Sequence, residues 1–459
     1  MTLLAINWSQ VGLQAGYLIF SLSILVILHE FGHFITAKWF KCRVEKFYLF
    51  FDPWFSLVKK KIGDTVYGIG WLPLGGYVKI SGMVDESMDK EQMKQPPQPW
   101  EFRSKPAWQR LIIMLGGVTM NVLFAFFLYA MILYKWGDTK LPMANVKDGI
   151  WITDSLMHDI GLKNGDKIIA VNGDSIQYFN ELPAKIILGT QITFSRDGKE
   201  QTITLPPNMI EQLVEKKGKR STLLMPRIPV IVGAFDSSNS LNAQKAGLHV
   251  YDRIVAIDSI PVQFFDEVAP VLNTKKGDSI TLSVVRNQRP FQLRTLVDTA
   301  GKIGFYVMNE EQADSLGILK QETKKYGFLA SFPAGVVKTG EKLNFYVQQF
   351  KMILNPQTGA YKGLGGFKTM ASIFPNTGWD WEAFWNITAF FSIILAFMNL
   401  LPIPALDGGH VLFTLIEMIS GRKPSDKFLE YAQIAGMVIL FALMLFANGN
   451  DWFGWGKGH

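Results

Sequence analysis

His29-Glu30-Phe31-Gly32-His33 lies near the end of an apolar run, Val11 to Ala37 (VGLQAGYLIFSLSILVILHEFGHFITA), that is long enough to cross a bilayer. Two imidazoles four residues apart face the same way on a helix and can share one zinc ion. The carboxylate beside the first can take a proton from a water that the metal acidifies. Ionisable side chains within a span are costly and usually functional. The competing reading is a pair of interfacial histidines near a helix end, capping carbonyls or facing headgroups. A third ligand elsewhere in the chain would decide between them.

At 459 residues the chain exceeds one ordinary domain, and a hydrophobic share of 48% points to membrane spans plus a sizeable soluble part. The net charge of +7 is modest. The basic residues gather beside apolar spans rather than along one aromatic-laced surface, which argues against a nucleic-acid partner. A single cysteine, Cys42, excludes an internal disulfide. Four segments can span: Val11–Ala37, Trp108–Trp136, Phe384–Leu406 and Phe428–Phe446. The first is not expected to be a cleaved signal, because no Lys or Arg precedes it and its apolar stretch is too long. Lys38, Lys41, Arg43, Lys46 and Lys59 to Lys61 follow span one. Arg103, Lys105 and Arg110 flank span two, and Arg422, Lys423 and Lys427 lie between spans three and four. The positive-inside rule makes these loops cytoplasmic. Both termini and the insert Gly137–Trp381 are then external, periplasmic in a Gram-negative cell, and the histidine pair lies in the cytoplasmic half of span one.

Between spans one and two, Val44–Phe51 and Thr65–Gly70 read as strands, continued by Trp71–Lys79 through a Pro/Gly break. So many aromatics in a short loop indicate contact with the membrane interface; a plain linking hairpin is the alternative. Met83–Pro99 is polar and proline-bearing, and reads as a mobile linker. The insert contains a repeat: Gly161–Gly173 (GLKNGDKIIAVNG) matches Gly247–Ser259 (GLHVYDRIVAIDS), and Gln191–Ser195 corresponds to Ser279–Val285. Each copy runs Gly-Leu, a turn with Asp, an alternating apolar strand and a polar turn, which resembles two PDZ domains. Whether the pair binds peptide by strand addition or serves only as a spacer or size filter stays open. Tyr326–Leu354 has an amphipathic helical pattern, suited either to the outer membrane face or to packing on the second PDZ-like domain.

Span three ends in Asn399-Leu400-Leu401-Pro402-Ile403-Pro404-Ala405-Leu406-Asp407-Gly408-Gly409-His410. Two prolines one residue apart cannot both sit inside a regular helix, so the span opens there. Irregular backbone at membrane depth is tolerated where it lines a cavity or is buried in protein. Asp407 follows the break, in the same half as His29 and His33, and is the expected third ligand. His410 either supports the site or lies at the interface.

These marks resemble the site-2 protease family of intramembrane zinc proteases: His-Glu-x-x-His in the first span, Asn-x-x-Pro-x-Pro-x-x-Asp-Gly-Gly in a late span, and Gly-Ile-Gly-x-Leu-Pro-Leu-Gly-Gly-Tyr-Val-Lys at Gly68–Lys79. The resemblance covers nearly the whole chain. It implies that His29, His33 and Asp407 bind Zn2+, that Glu30 is general base and then acid, and that Asn399 faces the substrate carbonyl or oxyanion. It makes Phe47–Ser81 a re-entrant β-loop whose edge at Val66, Tyr67, Gly68, Ile69 and Gly70 pairs with an unwound substrate. Asn121, after Gly116-Gly117, would help hold substrate; helix packing through small residues is the alternative for this element. The segment Leu364-Gly365-Gly366-Phe367 departs from the Gly-Pro-Ile of many relatives.

The expected architecture is an α-helical polytopic membrane protein with four transmembrane helices, a membrane-associated β-loop and two tandem β-rich PDZ domains between helices two and three. The divisions are 1–38 (first helix with the zinc motif), 39–107 (β-loop and linker), 108–136 (second helix), 137–225 and 226–310 (PDZ domains), 311–382 (external amphipathic helical region), 383–410 (third segment with a metal ligand) and 411–459 (cytoplasmic turn and fourth helix). The expected activity is zinc-dependent peptide hydrolysis in the inner membrane of a bacterium, within the span of a single-pass protein already trimmed outside. An anti-sigma factor or a signal-peptide remnant is the implied substrate. A non-catalytic PDZ-bearing receptor with a structural metal is the rival. A metal transporter is disfavoured because the ligands cluster in one half and His158, His249 and His459 lie outside the spans.

Overall fold

The computed structural model describes residues 8–83, 96–215, 222–236 and 242–456. Most of the expected linker at Met83–Pro99 lies outside the described residues. Two compact units emerge: Met1–Gly137 with Lys325–Pro356 and Ala360–His459, and Asp138–Lys324 with Gln357–Gly359.

The long helices of the first unit are α1 (Trp8–Trp39), α2 (Ala107–Lys135), α3 (Phe328–Leu354), α4 (Trp381–Leu400), α5 (Asp407–Ser420) and α6 (Asp426–Phe453). Of these, α1, α2, α4 and α6 are long and apolar enough to cross a membrane. At 1.5 Å per residue even α4 reaches about 30 Å, the thickness of the hydrocarbon layer. Small residues let α1 and α2 touch backbone to backbone: a Cβ on Gly116 would lie 2.5 Å from the carbonyl oxygen of Gly32. Hydroxyls join the third partner, with Thr388 of α4 bonded to Ser21 of α1 and Ser392 donating to the Asn121 carbonyl of α2. Helix α3 packs on α2 and α4. Phe328 meets Tyr134, and Tyr346 meets Phe390 and Phe397 edge-on. Of the two placements open for this helix, packing on the second β module is therefore excluded.

The third apolar segment differs from its sequence reading. Helix α4 stops at Leu400, the Pro402/Pro404 stretch is non-helical, and a new helix, α5, starts at Asp407 where a simple turn to the last span was expected. Helix α5 is tied to α2 by a buried ion pair between Glu417 and Arg110. The Leu364–Phe367 segment is held by the end of α6: Asn450 donates to the Lys362 and Leu364 carbonyls, and Asn448 accepts from the Phe367 amide.

Between α1 and α2 lies a four-stranded sheet of β1 (Val44–Phe51), β2 (Val58–Ile62), β3 (Thr65–Ile69) and β4 (Leu72–Ile80), in the order β2-β3-β1-β4. Strand β1 runs parallel to β3 and antiparallel to β4, with Lys46 opposite Val66 on one side and Tyr48 opposite Tyr77 on the other. Strand β2 carries Lys59, Lys60 and Lys61 and is exposed throughout, so it lacked the alternation that marks a strand in sequence.

The second unit repeats one module. Strands Lys199–Thr204, Gln191–Arg196, Lys167–Val171 and Asp174–Ser175 lie side by side in that order, and Arg289–Leu296, Ser279–Arg286, Arg253–Ile257 and Ile260–Pro261 lie in the same order. The repeated Asp does the same work in both copies. Asp166 holds Arg196 and the Lys163 amide, while Asp252 holds Arg286 and the His249 amide. Each arginine also reaches a carbonyl of the repeated glycine, Gly161 or Gly247. Each module has its own apolar core, but that of the first includes Met308, Ala313 and Leu319 from beyond the second. The boundary expected at 310 therefore falls at Lys324, where Glu322–Lys324 pairs with Asp138–Lys140.

Candidate active site

His29 and His33 are buried on the face of α1 that meets α2. The Nδ1 of His33 donates to the Ile113 carbonyl at 2.8 Å, which leaves the Nε2 lone pair facing inward. The Nδ1 of His29 lies 3.2 Å from the Asn121 amide nitrogen. Gly117, between Ile113 and Asn121 on α2, is pressed flat against both rings, so a Cβ there would lie 2.6 Å from His29 Cε1 and against His33 Nε2.

The Pro-bearing break after α4 turns the chain so that Asp407, the first residue of α5, enters from the opposite side. Its Oδ2 lies 3.1 Å from His29 Nε2 and 3.2 Å from His33 Nε2, and the two nitrogens are 3.3 Å apart. Zinc bonds of 2.0–2.1 Å in tetrahedral array put ligand atoms about 3.3 Å from one another. Two imidazole nitrogens and a carboxylate oxygen at those separations fit zinc, with one position left for water or substrate. The N-terminus of α5 favours the carboxylate. Gly436 of α6 abuts the Pro404 carbonyl, and Gln433 accepts from the Ala405 amide at 3.1 Å, so α6 braces the loop that delivers Asp407.

A cavity of about 570 Å³ opens on this cluster, and His29, Glu30, His33, Asp407 and His410 line it. The Glu30 carboxylate is hydrogen-bonded by the Val78 backbone of β4. Asn399, in the last turn of α4, extends its amide to within 3.3 Å of His29 Nε2. The cavity's other wall is β4, with Leu72 and Gly76 to Ile80.

Two expected substrate contacts are corrected. Val66, Tyr67, Gly68 and Ile69 lie on β3, which is paired on both sides, to β2 and to β1, and the Gly70 amide is taken by the Leu49 carbonyl. They form no edge. The strand bordering the cavity is β4, which has β1 on one side and no strand on the other among the described residues. Asn121 is fully buried and does not line the cavity; it reaches a metal ligand instead. Sequence reasoning missed Gly117 and Gly436. The first was visible only as part of a small-residue pair, and the second as an unremarked glycine in an apolar span.

The chain belongs to peptidase family M50, whose model matches residues 17–443. It is a zinc metalloprotease. Among its relatives, the regulator of sigma-E protease RseP of Escherichia coli (strain K12) is 28% identical over 449 residues, covering 94% of this chain and 97% of that one. The regulator of sigma E protease of Haemophilus influenzae is 27% identical over 464 residues, covering 95% and 98%. A Campylobacter jejuni chain named provisionally as a zinc metalloprotease is 28% identical over 443 residues, covering 94% and 90%.

Proposed function

We propose that the chain hydrolyses a peptide bond inside the membrane span of a single-pass protein already trimmed on its outer side. The observation that carries this is a three-donor metal cluster with an adjacent carboxylate, set among helices long enough to span and opening on a cavity walled by an edge strand. His29, His33 and Asp407 hold the metal. Bound there, zinc supplies a Lewis acid that acidifies water and polarises a carbonyl. Glu30 takes the proton of the attacking water and returns it to the departing amide nitrogen. Asn399 offers an amide N–H to the carbonyl oxygen as it gains charge. The scissile bond must first lose its helical hydrogen bonds, and adding the opened segment to β4 supplies partners that lipid cannot.

The two repeat modules are PDZ-type domains that screen out substrates with bulky outer parts. Lysine-rich loops on the inner side place these modules and both termini in the periplasm of a bacterial inner membrane, with the metal cluster near the cytoplasmic face. The names of the sigma-E relatives make a membrane anti-sigma factor the leading substrate. The test is cleavage of a single-span model substrate by the purified protein in detergent. Wild type should cut it, and Glu30→Gln or a zinc chelator should abolish cutting. Zinc-loaded wild type that cuts none of several trimmed substrates would favour a receptor with a structural metal.

A further inference from the structure

The two histidines are supported differently. His33 leans on a main-chain carbonyl, which can only accept. His29 leans on a side chain, Asn121, which is 0% exposed and whose Oδ1 has no hydrogen-bond partner. As it stands, the Asn121 amide donates to Nδ1 of His29. That direction requires the ring proton on Nε2, where it is shared with Asp407 Oδ2. A metal on Nε2 requires the opposite tautomer, with the proton on Nδ1 and an acceptor facing it. A half-turn of the amide presents the unpartnered Oδ1 in the required place. We propose that Asn121 is a positioning residue that accepts from His29 Nδ1 and so sets the tautomer and ring angle of this ligand in the metal-bound protein. The Ser392 hydroxyl, bonded to the Asn121 carbonyl, fixes the backbone from which the amide turns. The inference rests on the metal assignment above.

The test uses full-length protein in detergent and compares wild type with Asn121→Asp and Asn121→Leu. Zinc affinity is measured by chelator competition, and the ligand field by the visible spectrum of the cobalt(II)-loaded protein. Asp accepts but cannot donate, whereas Leu does neither. Asn121→Leu should bind zinc about 10- to 100-fold more weakly, with an altered cobalt spectrum, while Asn121→Asp should keep both near wild type. Equal weakening in the two variants would overturn the acceptor role, as would wild-type affinity in Asn121→Leu. Wild type that binds no zinc would instead sink the metal assignment itself. If Asn121→Leu fails to fold, nitrogen-15 histidine spectra of zinc-loaded wild type and Asn121→Asp decide. The His29 Nδ1 resonance should be protonated and should shift between the two while that of His33 stays; an unprotonated or unmoved His29 Nδ1 refutes the proposal.

Discussion

Gly117 is the position at which one methyl group should dismantle the metal centre without touching a ligand. A Cβ built there lies 2.6 Å from His29 Cε1 and 2.7 Å from His29 Nδ1, and presses on His33 Nε2 as well. Ordinary contact begins near 3.4 Å, so the rings must retreat by about 0.8 Å. They have little freedom to do so, because Ile113 holds His33 from behind and Asn121 holds His29. A metal site tolerates ligand displacements of about 0.2 Å. A misplacement of about 1 Å costs on the order of 100-fold in rate, about 2.7 kcal/mol of barrier. Gly117→Ala should therefore lose zinc and at least 100-fold in proteolysis while remaining monodisperse in detergent. Metal content by mass spectrometry and cleavage of a single-span substrate, measured on the same preparation, check this. Wild-type zinc and activity in Gly117→Ala would refute the idea that this glycine sets the ligand geometry.

Gly436→Leu should act at longer range by forcing α6 off the Pro404 carbonyl and loosening the loop that delivers Asp407. Reduced zinc retention in a folded variant is expected, and unchanged retention would leave α6 no bracing role. If β4 is the strand that receives substrate, Val78→Cys should form a disulfide with a cysteine in the substrate span and Lys60→Cys on β2 should not; the reverse pattern would return the substrate to the other side of the sheet. In the second repeat module, burial pushes the Asp252 carboxyl up, but the Arg286 guanidinium and the His249 amide outweigh it and hold the group below the usual carboxylate range. A carboxyl depressed on folding adds stability above its unfolded value of about 4, and this is lost as pH falls through the folded value. Arg286→Gln should thus speed amide exchange in Arg253–Ile257 at neutral pH, with an effect of roughly 2 kcal/mol that shrinks below pH 4. A pH-independent difference would assign the loss to packing.

The chemistry of this protein was legible because it is written in short local patterns. His29 and His33 share a face by helical periodicity alone, and Glu30 comes with them. The paired prolines at 402 and 404 announce a broken helix with an acid after it, since proline cannot complete the ladder. The long apolar runs and the repeated Gly-Leu…Asp pattern marked spans and modules for the same reason: each is a contiguous pattern with one physical meaning. Position across the sheet was not legible. Strand Thr65–Ile69 reads as a strand wherever it sits, and only pairing with both β2 and β1 takes away the edge that substrate would need. The start of a separate helix at Asp407 was equally hidden, because a break in an apolar run looks the same whether the chain turns back or continues. The role of Asn121 depends on an approach between α1 and α2 close enough to put its amide 3.2 Å from an imidazole 92 residues earlier. Sequence alone thus determined which groups exist and which neighbours travel with them, because backbone periodicity carries that information. Tertiary structure alone decided which strand edge stays open and which side chain orients each ligand, because those follow from close packing between segments far apart in the chain.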